Sequence, residues 1–154
     1  MKEIIEKLTK LNKTISTMES CTGGSLAGCI TNIEGSSEVF KYGAVTYSNE
    51  YKIRMGVSKD VIDEYSVYSM NTACEMSKSI SEFTNSNYGI GITGKLNRID
   101  VNNLSGEDNV VYISIYDKDN DCYYNKKVTV IYKTREENKK YVIDIVIELL
   151  RGVL

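Results

Sequence analysis

The chain has 154 residues, 42% of them apolar and 26% charged, with a formal net charge of −2; these are the proportions of a folded globular domain and exclude a disordered or fibrous chain. It contains no histidine, no proline and no tryptophan, which excludes a Ser-His-Asp triad, a histidine-ligated metal and a cis-proline turn. Acid and base chemistry falls to Lys, Tyr, Cys, Asp or Glu, and the dispersed Lys and Arg residues argue against a nucleic-acid partner.

In chain order, Ile4, Ile5, Leu8 and Leu11 recur at helical spacing and predict an amphipathic first helix ending near Asn12. The segment Met1 to Lys13 has no continuous apolar stretch, so neither a signal peptide nor a membrane span is expected and the protein reads as cytoplasmic. Thr14 to Glu19 has extended character and breaks into Ser20-Cys21-Thr22-Gly23-Gly24, followed by small apolar residues through Ile33: a strand, a turn and a helix. After the Glu34-Gly35-Ser36-Ser37 loop, Val39 to Ser48 predicts a second strand, and Asn49 is placed to cap a short helix holding Lys52. Ser58 caps another helix through Tyr65, and Ser69 opens a longer one with Ala73, Met76, Ile80 and Phe83 as its buried stripe. Tyr88 to Thr93 reads as a strand closed by Gly94, and its Gly89 and Gly91 imply the close approach of a helix or a ligand.

Lys95 to Asn109 is a polar connector, long enough to be functional or mobile. Val110 to Tyr116 and Cys122 to Tyr132 predict a hairpin around Asp117 to Asp121. Thr134-Arg135-Glu136-Glu137 has the pattern of a capping box, opening a last helix with Tyr141, Val142, Ile145 and Leu149 inward. Early strands alternate with helices and late ones pair, so the expected fold is α/β, a three-layer α/β/α sandwich with a mixed β-sheet, as one domain over residues 1–154. Cys21, Cys29, Cys74 and Cys122 are too scattered for a Cys-x-x-Cys pair and are expected as free thiols. Three read as core fillers; the role of Cys21 is left open by its neighbourhood.

Chemistry concentrates in two places. The turn Glu19 to Gly24 joins the carboxyl end of a strand to a helix N-terminus, where free backbone N–H groups can hold a phosphate or a developing oxyanion. The bland alternative is a tight turn with a Ser or Thr cap; the Walker lysine and the G-x-G-x-x-G spacing are both missing. The second cluster, Gly43 to Lys52, reads on its own as a half-buried strand with Tyr47 inward and Lys52 on a solvated helix face.

Taken together, Glu19 to Gly24, Glu34 to Ser37 with Phe40, and Gly43 through Asn49 with Lys52 and Gly56-Val57 form an ordered series that resembles the CinA C-terminal family. Ser69, Ala73, Met76, Thr93-Gly94, Val111-Tyr112-Ile113 and Arg135 extend the resemblance over nearly the whole chain. It implies an amidohydrolase that deamidates nicotinamide mononucleotide to nicotinic acid mononucleotide and ammonia, with a small-molecule nucleotide as partner, no metal or other cofactor, and a homo-oligomeric state. Some members carry an additional N-terminal nucleotide-hydrolase domain, for which this length leaves no room. The resemblance makes Ser20 the nucleophile, Lys52 its base, and Tyr47 a group that assists proton transfer or orients the amide. A lysine can activate a serine once its pKa of about 10.4 is brought to about 7 to 8 by burial or a nearby cation. Cys21, Thr22, Gly23, Gly24, Thr93, Gly94 and Arg135 are the candidate substrate-binding residues. The turn fits an oxyanion role or a phosphate role, and Arg135 a phosphate or carboxamide contact or an ordinary surface arginine.

The chain departs from the family after Gly94, where a Gly/Pro-rich stretch of the type Ile-Ala-Gly-Pro-x-Gly-Gly is usual and Lys95 to Gly106 stands instead. Replacing glycines by branched and charged residues is expected to reshape or cover the pocket. Asn87 also stands where members commonly have Asp. These departures sustain an alternative, a catalytically inactive ligand-binding or protein-interaction domain with a remodelled 95–106 loop. A thiol enzyme built on Cys21 has only adjacency in its favour.

Overall fold

The computed structural model of the chain describes residues 1–98, 100–101 and 103–154; Ile99 and Asn102, both in the polar connector, lie outside the described residues. Five strands, β1 (Ile15–Glu19), β2 (Phe40–Val45), β3 (Tyr88–Gly94), β4 (Val110–Asp117) and β5 (Cys122–Thr129), form one sheet in the order β2-β1-β3-β4-β5. β1 runs parallel to β2 and β3, whereas β3, β4 and β5 pair antiparallel. The sheet is therefore mixed, as the alternating first half and hairpin second half of the sequence require.

Period-two alternation divides the sheet into two faces. Ile15, Ile90, Ile92, Val111, Ile113 and Ile115 join the core formed with α1 (Lys2–Leu11), α2 (Ser25–Thr31) and α6 (Arg135–Val153). Met18 points the other way, toward α4 (Lys59–Tyr65) and α5 (Met70–Thr84), where Ile62, Met76 and Ile80 meet it. The short helix α3 (Asn49–Arg54) follows β2. Helices on both faces complete the three-layer α/β/α arrangement, and among the described residues no helix is long and apolar enough to cross a membrane.

Gly89 and Gly91 admit a helix rather than a ligand. A Cβ at Gly89 would lie 2.0 Å from the Ser77 carbonyl oxygen and one at Gly91 2.3 Å from that of Ala73. α5 presents small Ala73, Ser77 and Ser81 to this strip, and Ser77 Oγ completes the contact with a 3.0 Å hydrogen bond to Ser114 Oγ. The caps at Ser69 and Thr134 form, the latter as a full capping box with Glu137.

Several local expectations are corrected. Ser48, not Asn49, caps α3, because its extended backbone lets Oγ accept from Tyr51 N; Asn49 is the first helical residue, and its amide turns to Asn103 instead. Phe83 is 64% exposed: it stands in the last turn of α5 and packs on Tyr42 of the edge strand β2, 5.5 Å between ring centroids. Leu11 is likewise exposed. In α6 the buried line runs through Asn138, Val142, Ile143, Val146 and Leu150, with Tyr141, Ile145 and Leu149 at its margin. All four cysteines are free, but Cys21 is the buried one, while Cys29, Cys74 and Cys122 are only partly covered.

Candidate active site

The turn after β1 is organised by Glu19. Its carboxylate is fully buried; Oε2 accepts from the backbone N–H groups of Gly24 and Leu26, each at 3.1 Å, and Oε1 from Ala27 at 2.9 Å. A negative side chain thus caps the start of α2 from within the strand that precedes it, supplying acceptors to amides that a helix N-terminus leaves unpaired. The chain reverses sharply enough to require positive φ at Gly23 (61°) and Gly24 (90°), which glycine adopts without strain. The Gly23 N–H donates to the Ser20 carbonyl at 3.0 Å. Two of the amides offered by the sequence for a phosphate or an oxyanion are therefore engaged within the protein. Those of Cys21 and Thr22 have no acceptor among the described residues.

Ser20 is held by its own N–H, which donates to Ile92 O of β3 at 3.0 Å. From the other side, the last turn of α3 carries Lys52 inward until it is 1% exposed. Its Nζ donates to Ser20 Oγ at 3.0 Å and to the Thr46 carbonyl at 2.7 Å. No carboxylate pairs with it among the described residues, and burial pulls its pKa from 10.5 down to about 8. The solvated helix face read for Lys52 from the local sequence is corrected here. The neighbouring Cys21 thiol is 4% exposed and packs into the core beneath the turn; burial lifts its pKa to about 12, so it stays protonated near neutral pH.

Ser20, Cys21, Tyr47, Lys52, Gly94 and Arg135 line a single cavity of about 470 Å³, within the range of roughly 300 to 1,000 Å³ usual for small-molecule sites. Tyr47 is 64% exposed at its rim, not inward, and its hydroxyl accepts from Arg135 Nη2 at 3.1 Å; it makes no hydrogen bond to Ser20 or Lys52. Arg135, in the first turn of α6, also donates to Leu96 O. Thr22, Gly23, Gly24 and Thr93 stand outside the lining. Thr93 is buried and its Oγ1 donates to Val67 O at 2.9 Å, tying β3 to the segment before α5.

The opposite wall is the connector, which supplies Lys95, Leu96, Arg98, Asp100, Val101 and Asn103. Lys95, 3% exposed, reaches back along it to the carbonyls of Leu104 (3.4 Å) and Gly106 (3.3 Å) and to Asp108 (3.2 Å), with the Tyr68 ring 5.1 Å from its Nζ. Asp100 accepts from Tyr68 Oη and from Asn103 Nδ2, and Asn103 Oδ1 accepts from Asn49. Sequence reasoning missed Tyr68, Asn49 and Lys95 as wall residues; the placement of Lys95 directly after Thr93-Gly94 was the one signal available for them. Asn87 is far from the cavity at the other end of β3, where its Oδ1 accepts from Thr14 N at 2.9 Å. Among the described residues no group of three or more Cys, Asp or Glu side chains is placed to hold a metal ion.

The model of the CinA C-terminal domain matches residues 1–154. The chain belongs to the CinA C-terminal domain family. A Clostridium botulinum (strain Langeland) relative named "Putative competence-damage inducible protein" is 47% identical over 96 residues, which are 61% of this chain and 24% of that protein. A Clostridium acetobutylicum relative of the same name is 51% identical over 82 residues, 53% of this chain and 20% of that protein. The matched segment thus spans about a quarter or less of these relatives' length. A CinA superfamily protein from Escherichia coli has the same fold, with a TM-score of 0.90 at 22% identity over 99% of this chain and 87% of that one. The competence/damage inducible protein CihA from Agrobacterium tumefaciens gives 0.84 at 27% identity, covering 96% and 91%.

Proposed function

We propose that this CinA-family domain is a serine amidohydrolase that converts nicotinamide mononucleotide to nicotinic acid mononucleotide and ammonia. The observation that carries the chemistry is the Ser20–Lys52 contact of 3.0 Å between buried groups, with the lysine pKa near 8. Displacing that pKa from 10.5 to about 8 removes roughly 3 kcal/mol of the amine's preference for its proton. A deprotonated Lys52 keeps its bond to Thr46 O and turns its lone pair to the Ser20 hydroxyl proton. Ser20 Oγ attacks the carboxamide carbon as its proton passes to Lys52, and the Cys21 N–H, next to the nucleophile and without a protein acceptor, serves the oxyanion. Lys52 returns the proton to the departing nitrogen, releasing ammonia as the carbon–nitrogen bond breaks; water then attacks the acyl carbon, giving up a proton to Lys52, and the bond to Ser20 Oγ breaks as Lys52 hands that proton back to Ser20, freeing the carboxylic acid, which ionises in water. Tyr47, bonded to Arg135, orients substrate at the rim. The choice of nicotinamide mononucleotide rests on the family resemblance.

Incubating the purified protein with nicotinamide mononucleotide and measuring ammonia tests this. Release that vanishes in Ser20→Ala is expected; no Ser20-dependent release overturns it. A second reading, a domain that binds such a ligand without turning it over, is favoured by one observation: charged and branched connector residues Arg98, Asp100 and Val101 form a cavity wall where the family pattern has glycine and proline.

A further inference from the structure

The charges in the cavity do not balance. Its lining carries four cationic side chains, Lys52, Lys95, Arg98 and Arg135, against one carboxylate, Asp100. Lys52 is buried and its Nζ is taken up by Ser20 Oγ and Thr46 O. Lys95 has its own counter-ion in Asp108. Asp100 takes hydrogen bonds from Tyr68 and Asn103. Among the described residues Arg135 has only neutral acceptors, the Leu96 carbonyl and the Tyr47 hydroxyl. Arg98 has no acceptor and no counter-ion among the described residues, and its side chain is exposed on the cavity wall. Among the described residues, two guanidinium groups thus border one cavity without an ion-paired carboxylate for either.

We infer that Arg98 and Arg135 together form an anion site in this cavity, and that its ligand is the phosphomonoester of a phosphorylated carboxamide whose amide end lies at Ser20. A planar guanidinium donates two parallel N–H groups to phosphate oxygens, a geometry that ammonium groups do not offer. Arg98 is the specificity-determining member. It comes from the connector, so the segment that departs from the family pattern supplies discrimination between a nucleotide and the nucleoside that lacks its phosphate. The identity of the amide end rests on the amidohydrolase reading; the anion site rests on the charge imbalance.

Calorimetric binding to the Ser20→Ala protein, which cannot turn over, separates the two. Nicotinamide mononucleotide is expected to bind at least about tenfold more tightly than nicotinamide riboside. Adding Arg98→Gln is expected to weaken the mononucleotide about five- to tenfold and leave the riboside within about twofold, with Arg98→Lys recovering part of the loss. Inorganic phosphate is expected to compete with the mononucleotide and to compete less once Arg98 is replaced. Equal affinities for the two ligands, an equal effect of Arg98→Gln on both, or no binding of either overturns the anion site. Selective binding by a native protein that releases no ammonia supports the anion site and overturns the amidohydrolase reading alone.

Discussion

The turn at residues 19–24 and the connector at 95–108 leave the carboxyl ends of adjacent parallel strands and face each other across one cavity, yet they are held by different means. The turn is fixed by backbone: Glu19 gathers three amides, and Gly23 closes onto Ser20 O. The connector is fixed by side chains, with Lys95, Asp100 and Asn103 tying it to itself and to Tyr68 and Asn49. A backbone-held segment presents one geometry whatever its exposed side chains, which suits a nucleophile; a side-chain-held segment changes shape with each substitution, which suits recognition. The same fold can therefore keep a reacting group while its ligand preference is rewritten.

The sharpest test of the turn side removes its chemistry. Ser20→Ala and Lys52→Met are each expected to lower the amidase rate on the order of a thousandfold or more, read as ammonia release. The pH profile refines this: the rate should rise with pH and level off above about 8, the Lys52 pKa. Stability follows the same group. Unfolding restores the ordinary lysine pKa near 10.5, so the unfolded chain holds more protons between about 8 and 10.5. Native stability therefore gains as pH rises through that window and loses the gain as pH falls back through 8. Denaturant unfolding should show wild type gaining on Lys52→Met by roughly 3 kcal/mol across the window.

Breaking the backbone frame comes next. Glu19→Gln keeps the shape but removes the charge from three amide bonds, with an expected loss of about 2 to 3 kcal/mol and a melting temperature lower by roughly 5 to 10 °C. On the connector side, Lys95→Met should raise KM about tenfold with kcat within about threefold, together with about 1 to 2 kcal/mol of stability; an equal fall in kcat would mean that the connector shapes the reacting geometry too. The smallest effect is expected at Asn87→Asp, beyond both regions. There a carboxylate would face Asp119, now the acceptor of the Asn87 amide at 2.9 Å, costing about 1 kcal/mol in a thermal melt and leaving turnover unchanged.

The framework was legible because it rests on local rules. Period-two and helical spacings located the strands and helices, Asp117 to Asp121 marked the hairpin turn, and Ser69 and Thr134 announced caps that form. The pairing of Ser20 with Lys52, 32 residues apart, follows from no local rule and came from the family resemblance. Glu19 reads in sequence as a charged residue ending a strand, and only the reversal of the chain shows why it can be buried. The connector was harder still. Lys95 finds its partners 9 to 13 residues downstream and Asn49 its partner 54 residues away, distances over which spacing carries no information. Phe83 was misplaced because periodicity gives the direction of a side chain and not where the sheet beneath it ends.

The bare strip at Gly89 and Gly91 reaches further than packing. α5 rests on that strip, and the segment leading into it carries Tyr68 to the cavity wall and Val67 to the Thr93 hydroxyl. Two absent methyl groups thus set how closely α5 lies on the sheet just beyond the segment that supplies a cavity wall. An alanine at Gly91 would act as a wedge, lifting the helix and parting Tyr68 from Asp100, so that ligand affinity would change through a position no ligand touches.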